Sequence, residues 1–403
     1  NGKNYYPNKN LAAHVVGFTG ENGKGVTGAE AMLDSSGTDN NITLTIDKNI
    51  QKVAEDALKK AMEDYKPRDG ASAIIMDPAT GEILAMVSMP DFDPNMPMTI
   101  PGGMDEGKWK GMTEIERKDY LSEKVLKNKT ISETYEPASS FKTITAAAGL
   151  EEGIVKPDSP VDDTPVKVDQ WTISCWTPKG HGKETFAEAV YNSCSPVFVR
   201  ISQSLGTERF YRYLQSFGFM DKTNLGLPGE ARSIFHTKPT NIDLATASFG
   251  QRVQVTPIQL TAAYGAIANG GRLLKPQIIR EITDAKGQSV KRYEPEVIRE
   301  VLSKQTSNAL KEILEGSVSK GTGANAFMKG YRIAGKTGTA ETPESKTKGI
   351  YIASFIGFAP ADDPRIVCQV ILNGPQVNEN TGGMTAAPVS GKIMKDVLDY
   401  LAQ

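Results

Sequence analysis

The stretch Tyr135-Glu136-Pro137-Ala138-Ser139-Ser140-Phe141-Lys142, continued by Thr143-Ile144-Thr145-Ala146-Ala147-Ala148-Gly149-Leu150, decides how this chain is read. Pro137 and the small residues after it form a turn signal, and the alanine-rich run beyond them propagates as a helix. Ser139 then falls in the first turn, with Lys142 three residues on and on the same face. A serine hydroxyl is a weak nucleophile until a neighbouring base takes its proton, and a partly desolvated lysine can be that base. Backbone N–H groups at the helix start favour the negative charge that develops during acyl transfer.

The Ser-x-x-Lys pattern is weak by itself. It recurs at Ser317 to Lys320 and at Ser345 to Lys348, in polar stretches that read as solvated surface. Ser139 stands apart because of its company further along the chain, first Ser193-Cys194-Ser195 and then Lys336-Thr337-Gly338-Thr339. The triplet Lys-Thr-Gly occurs once in the chain.

At 403 residues the chain is long enough for two to three domains and a large core. Its formal charge of −2 argues against a dedicated nucleic-acid binder. No apolar run reaches the roughly 18 residues that span a bilayer, and no signal peptide is present. Because the chain begins at Asn1, a membrane anchor upstream of it is expected. Three cysteines, Cys175, Cys194 and Cys368, are too few for a disulfide scaffold. Cys368 lies in an apolar strand-like run and reads as a small buried hydrophobe.

Along the chain, Ile50, Val53, Ala54, Ala57, Leu58 and Ala61 give an amphipathic helix. A hairpin is expected over residues 72–88, turning at Pro78 to Gly81, and then a surface excursion to about Met112. Residues 151–185 read as irregular, 186–205 as two helices broken near Asn192 to Pro196, and 207–217, 256–268 and 303–315 as further helices. A meander over 331–334, 350–358 and 366–372 precedes a closing helix at about 390–401. The expected architecture is α+β, an antiparallel sheet flanked by helices, with no phosphate-binding glycine loop.

These motifs resemble those of class B penicillin-binding proteins, monofunctional peptidoglycan D,D-transpeptidases whose fold is shared with serine β-lactamases. Glu136-Pro137-Ala138-Ser139-Ser140-Phe141-Lys142 matches the first motif, and Gly335 to Ala340 the third. Gly250-Gln251 and Val255 to Leu260 are also characteristic, whereas Cys175-Trp176 and Gly180-His181-Gly182 look most like sporulation and division transpeptidases of Gram-positive spore formers. The resemblance covers residues 47–403 as the transpeptidase domain. Residues 1–46 then read as the remnant of a non-catalytic pedestal and a linker, either excised or naturally compact.

The resemblance implies that Ser139 attacks the penultimate D-alanine of a stem peptide and releases the terminal D-alanine, with Lys142 as base. Ser193 would relay a proton to the leaving amine, Lys336 would keep the cleft positive, and Thr337 and Thr339 would hold the substrate carboxylate. Gly338 would let substrate backbone lie along its strand, and the N–H groups of Ser139 and Thr339 would form an oxyanion hole. β-Lactams would acylate the same serine. A membrane glycosyltransferase partner and a position outside the cell are implied as well. The rivals are a β-lactamase or D,D-carboxypeptidase, and a β-lactam sensor or silent scaffold.

Two departures stand out. Ala138 replaces the family's glycine before the nucleophile. Ser195 replaces an asparagine, so a shorter hydroxyl stands where an amide would grip the acyl side chain, a loss on the order of 1–3 kcal/mol if the contact is buried. The chemistry itself needs no cofactor. Near the second motif, however, Cys175, His181 and Cys194 could bind a structural zinc with Asp169 as a fourth ligand. A Cys175–Cys194 disulfide, or free thiols beside a plain loop histidine, are the alternatives. His14 and His236 lack such company and are expected in solvent.

Overall fold

In the computed structural model, residues 4–36, 40–342 and 348–403 are described. A five-stranded antiparallel sheet forms the centre: β1 (Ala71–Met76), β2 (Ile83–Met89), β3 (Ala334–Glu341), β4 (Tyr351–Ala359) and β5 (Ile366–Asn373). Their order across the sheet is β3-β4-β5-β1-β2, which leaves β3 on an edge. The expected hairpin and meander therefore join into one sheet. The strand carrying Lys336 starts at Ala334 rather than at Tyr331.

Alternation along these strands serves two cores. Ile74, Met76, Ile356, Phe358, Val367 and Ile371 enter one, whereas Ala73, Ile75, Phe355, Cys368, Val370 and Leu372 enter the other. Both faces are covered, which is why the strands read as continuous apolar runs. One face packs on α1 (Lys48–Tyr65) and the C-terminal helix Ala386–Leu401. Asp47 begins α1 by accepting the N–H groups of Asn49 and Ile50.

The other face meets a helical layer of α2 (Lys142–Glu151), α3 (Phe186–Asn192), α4 (Ser195–Leu205), α5 (Asn241–Ala247), α6 (Pro257–Ala268) and α7 (Lys304–Lys320). Every residue of α6 is buried. Its start follows the sequence signals, with Thr256 and Gln259 forming a capping box and Pro257 at the first position.

Some expectations change. Residues 151–185 are not wholly irregular: Pro160–Asp162 pairs with Lys183–Thr185, and Val166–Val168 with Trp171–Ile173. Helix α7 runs on to Lys320, and Ser317 within it is fully buried rather than solvated. Ser345 lies outside the described residues. His14 is also buried, with its Nε2 2.6 Å from the Val125 carbonyl. His236 is only partly exposed and stands 3.4 Å from Asp243 Oδ1. Within residues 1–46, Asn41–Leu44 adds to the strand Ile279–Thr283, and Ala12 N–H donates to the buried Glu55 at 2.8 Å. No helix among the described residues is long and apolar enough to cross a membrane.

Candidate active site

The turn that presents Ser139 is built from both directions. Residues Ala138–Phe141 form one turn of 3-10 helix ahead of α2, and Ser140 Oγ donates to the Pro137 carbonyl at 2.6 Å. Ala138 sits at φ +49°, in the left-handed region where a glycine would rest without cost. Its N–H donates to Gly250 O at 3.0 Å. Gly250 is itself at φ +76°, and a Cβ there would come within 2.2 Å of Ala138 O. From beneath, the Tyr264 hydroxyl of α6 donates to Ser140 O at 2.7 Å and lies 2.8 Å from Thr143 Oγ1. Sequence reasoning missed Tyr264, whose only sign is an aromatic with a polar tip in a predominantly apolar helix.

Helix α3 ends at Ser193, whose left-handed backbone (φ 59°, ψ 43°) turns its side chain into the cleft before α4 begins. Lys142 Nζ donates to Ser193 O at 2.7 Å and lies 3.1 Å from Ser193 Oγ. Lys336 Nζ lies 3.0 Å from the same hydroxyl. Both amines are buried. Burial pulls the Lys142 ammonium down to about 7, and burial together with the nearby Lys142 charge pulls Lys336 well below the usual lysine range. Among the described residues Ser139 Oγ forms no hydrogen bond; it lies half-buried at the cleft.

Strand β3 closes the far wall. Thr337 Oγ1 stands 3.4 Å from Thr322 Oγ1, and Thr339 Oγ1 accepts Gly382 N–H at 3.0 Å. Gly338 has a structural reason to be glycine: a Cβ there would meet Ser354 Oγ at 2.5 Å and Pro137 O at 2.8 Å. The strand is thereby seated against the Ser139 turn. The cleft between these walls has a volume of about 830 Å³ and includes Ser139, Lys142, Ser193, Ser195, Thr337 and Thr339, every proposed catalytic or carboxylate-binding side chain except the deeper Lys336. Trp171, Trp176, Arg252 and Glu341 also line it; of these only Trp176 was noted in the sequence, and not as a cleft residue.

Behind Ser193 lies the cysteine cluster. Cys194 Sγ is 3.1 Å and Cys175 Sγ 3.4 Å from His181 Nδ1. Both cysteines are free thiols, not a disulfide. The fourth group is Asp163 rather than Asp169: Asp163 Oδ2 is 3.4 Å from His181 Nδ1, and the four ligand atoms lie within 4.8 Å of one another. Asp169 instead occupies the turn after Val168 and faces Asn241. Burial would raise the Asp163 carboxyl, but the N–H groups of His181 and Gly182 outweigh it and hold it low. Burial, then the adjacent Glu184, push the Cys194 thiol strongly up.

Comparison with known proteins agrees with this geometry. The profile of the penicillin-binding protein transpeptidase domain matches residues 71–395. The chain is 37% identical to the stage V sporulation protein D of Bacillus subtilis, over 98% of its own length and 64% of that protein's. It is 29% identical to the peptidoglycan D,D-transpeptidase FtsI of Escherichia coli, over 98% of its length and 67% of that protein's. A crystal structure of penicillin-binding protein 3 from Mycobacterium tuberculosis complexed with ampicillin superposes with a TM-score of 0.86 at 29% identity, covering 99% of this chain and 89% of that one. The chain thus spans a little under two thirds of the sporulation protein.

Proposed function

Since the chain belongs to the penicillin-binding protein transpeptidase domain family, we propose that it is a serine D,D-transpeptidase that cross-links peptidoglycan stem peptides and is acylated by β-lactams. The observation that carries this reading is the Ser193 hydroxyl held between two buried amines, 3.1 Å from Lys142 and 3.0 Å from Lys336, at the cleft that contains Ser139. Two ammonium groups cannot both persist there without a counter-charge. When the terminal carboxylate of a stem peptide settles beside Thr337 and Thr339, it favours the charged form of Lys336, and Lys142 is left neutral. Lys142 then takes the Ser139 proton as Oγ bonds to the penultimate D-alanine carbonyl carbon. N–H groups of Ser139 and Thr339 receive the oxyanion. The C–N bond breaks, the terminal D-alanine leaves with a proton relayed through Ser193, and an amine of a second stem peptide takes the acyl group.

The similarity to a stage V sporulation protein and to the transpeptidase FtsI supports a role in division or spore-wall synthesis. We further propose that the domain works on the outer face of a membrane, behind an N-terminal anchor and beside a membrane glycosyltransferase. Residues 1–46 are read as a pedestal remnant and linker, and 47–403 as the transpeptidase domain.

The chemistry needs no cofactor. The cluster Asp163, Cys175, His181 and Cys194 fits a structural zinc: bonds of about 2.0–2.3 Å in a tetrahedron separate ligands by roughly 3.3–3.8 Å, inside the spread found here. Bound zinc would be a structural tie, joining the 163–182 segment to the residue next to Ser193.

Intact-protein mass after incubation with a penicillin tests the enzyme, beside Ser139→Ala. A one-to-one adduct absent from the variant is expected, and no adduct on the wild type would overturn the reading. Elemental analysis should find one zinc per chain, lost in Cys194→Ser. Full adduct formation by a zinc-free, equally stable protein would dismiss the structural ion.

A further inference from the structure

The cleft continues past the reacting groups, and its far end carries opposite charges on two walls. Thr337, Thr339 and Glu341 alternate along the edge strand β3, and all three line the cleft. With the terminal carboxylate at the Thr337 end, the donor peptide preceding the scissile bond runs toward Glu341. Facing that path is Arg252, whose side chain is half exposed to the cleft.

Arg252 is positioned with care. It adopts φ +58°, a conformation an arginine rarely takes without constraint. Its N–H donates to Glu136 Oε1 at 3.0 Å, and its guanidinium meets Asp243 Oδ1 at 3.1 Å. Asp243 is buried and fixed by the N–H and hydroxyl of Thr240, at 3.0 and 2.8 Å. That carboxylate aims the guanidinium and leaves the rest of its donor fork for a second anion. Burial raises the Glu136 carboxyl, the Arg252 N–H opposes this, and the field of Glu341 raises it further, so Glu136 and Glu341 are electrostatic neighbours. Ile242, Phe249 and Trp171 supply apolar lining to the same cleft.

We propose that Arg252 and Glu341 read the side chain of the residue just before the D-alanine pair. They select donors in which that side chain ends in both a carboxylate and an ammonium, a diamino dicarboxylic acid, over donors ending in an ammonium alone. The carboxylate pairs with Arg252, the ammonium with Glu341, and the methylenes lie on the apolar lining. An amine-only side chain leaves Arg252 unanswered and brings a second cation near it. This specificity rests on the proposed transpeptidase activity.

The test compares two synthetic stem pentapeptides, with meso-2,6-diaminopimelate or L-lysine at the third position, as donors to one fixed acceptor amine. The readout is kcat/KM for D-alanine release. The wild type should prefer the diaminopimelate donor about tenfold, the discrimination of one charge-assisted contact. Arg252→Asn, which tolerates the left-handed backbone, should bring the ratio near one, and Arg252→Lys should retain part of the preference. Glu341→Gln should lower kcat/KM for both donors, because both carry the ammonium. Equal use of the donors by wild type, or an unchanged ratio in a folded Arg252 variant, overturns the specificity. If penicillin still acylates Ser139 in that case, the transpeptidase reading survives. No release from either donor and no adduct would overturn both.

Discussion

The Lys142 amine is bound to Ser193 at two points, 2.7 Å from its carbonyl and 3.1 Å from its hydroxyl. The proposed base and the proposed proton relay are therefore one unit, and damage to either should disable acylation. Ser193→Gly removes the hydroxyl while suiting the left-handed backbone, and Lys142→Arg keeps a permanent charge that cannot serve as a base. Stopped-flow acylation by a fluorescent penicillin should slow by about 10²–10⁴-fold in each, the usual span for a lost acid–base group. A Ser193→Gly rate within threefold of wild type would remove Ser193 from the mechanism.

The same burial sets a pH dependence. Lys142 is drawn from the ordinary lysine value of 10.5 down to about 7, so it is mostly charged and unable to accept a proton below pH 6. As pH rises through 7 the neutral amine accumulates and the acylation rate constant should climb about tenfold per unit below the midpoint, then level off. A rate constant flat between pH 5 and 9 would show that Lys142 is not the base.

Ala138 carries a left-handed backbone (φ +49°) next to the proposed nucleophile Ser139. Glycine removes the Cβ strain but gains freedom in the unfolded chain, so Ala138→Gly should stabilise by only about 0.5–1 kcal/mol. A urea midpoint shifted upward with an unchanged slope is the expected result. A downward shift would mean that the Ala138 methyl, which is buried, contributes more by packing than it costs in strain.

Contiguous strings carried most of what the sequence revealed. The serine turn and the Lys-Thr-Gly strand are each encoded within eight residues, and their roles depend on local conformation. Asp163, Tyr264 and Arg252 were illegible for the opposite reason, since each acts across the fold. Asp163 reaches His181 through the pairing of three-residue strands too short to leave a periodic pattern. Tyr264 meets Ser140 only because α6 lies under α2. Ser317 reads as polar surface because its neighbours are polar, yet a Cβ on Gly316 would strike the Tyr191 ring at 2.3 Å, so this face of α7 is pressed against α3. Helix α5 is seven residues long, and its capping box of Thr240 and Asp243 was its best signal.

Ser195 opens α4 half-buried in the cleft, where the family's asparagine would reach the acyl side chain. A hydroxyl is shorter by one bond and lacks the paired donor and acceptor of an amide. Ser195→Asn should raise the second-order acylation constant for penicillins with an amide side chain about tenfold, the value of one recovered hydrogen bond of roughly 1–2 kcal/mol. An unchanged constant would indicate that another cleft residue already makes that contact.

His14 joins the N-terminal segment to the Val125 carbonyl, and its burial favours the neutral ring. Its ring is buried against the edge of Phe92, and its Nε2–H donates to the Val125 carbonyl. Burial lowers its pKa from 6.5 to about 4, so the unfolded chain binds a proton at a pH where the folded one does not. The associated stability is complete above pH 6.5 and is lost as pH falls toward 4, by about 3 kcal/mol in all. His14→Gln keeps an N–H donor without the titration. Its urea midpoint should therefore fall less than that of wild type between pH 7 and pH 4.5. Parallel declines in the two proteins would place the acid sensitivity elsewhere.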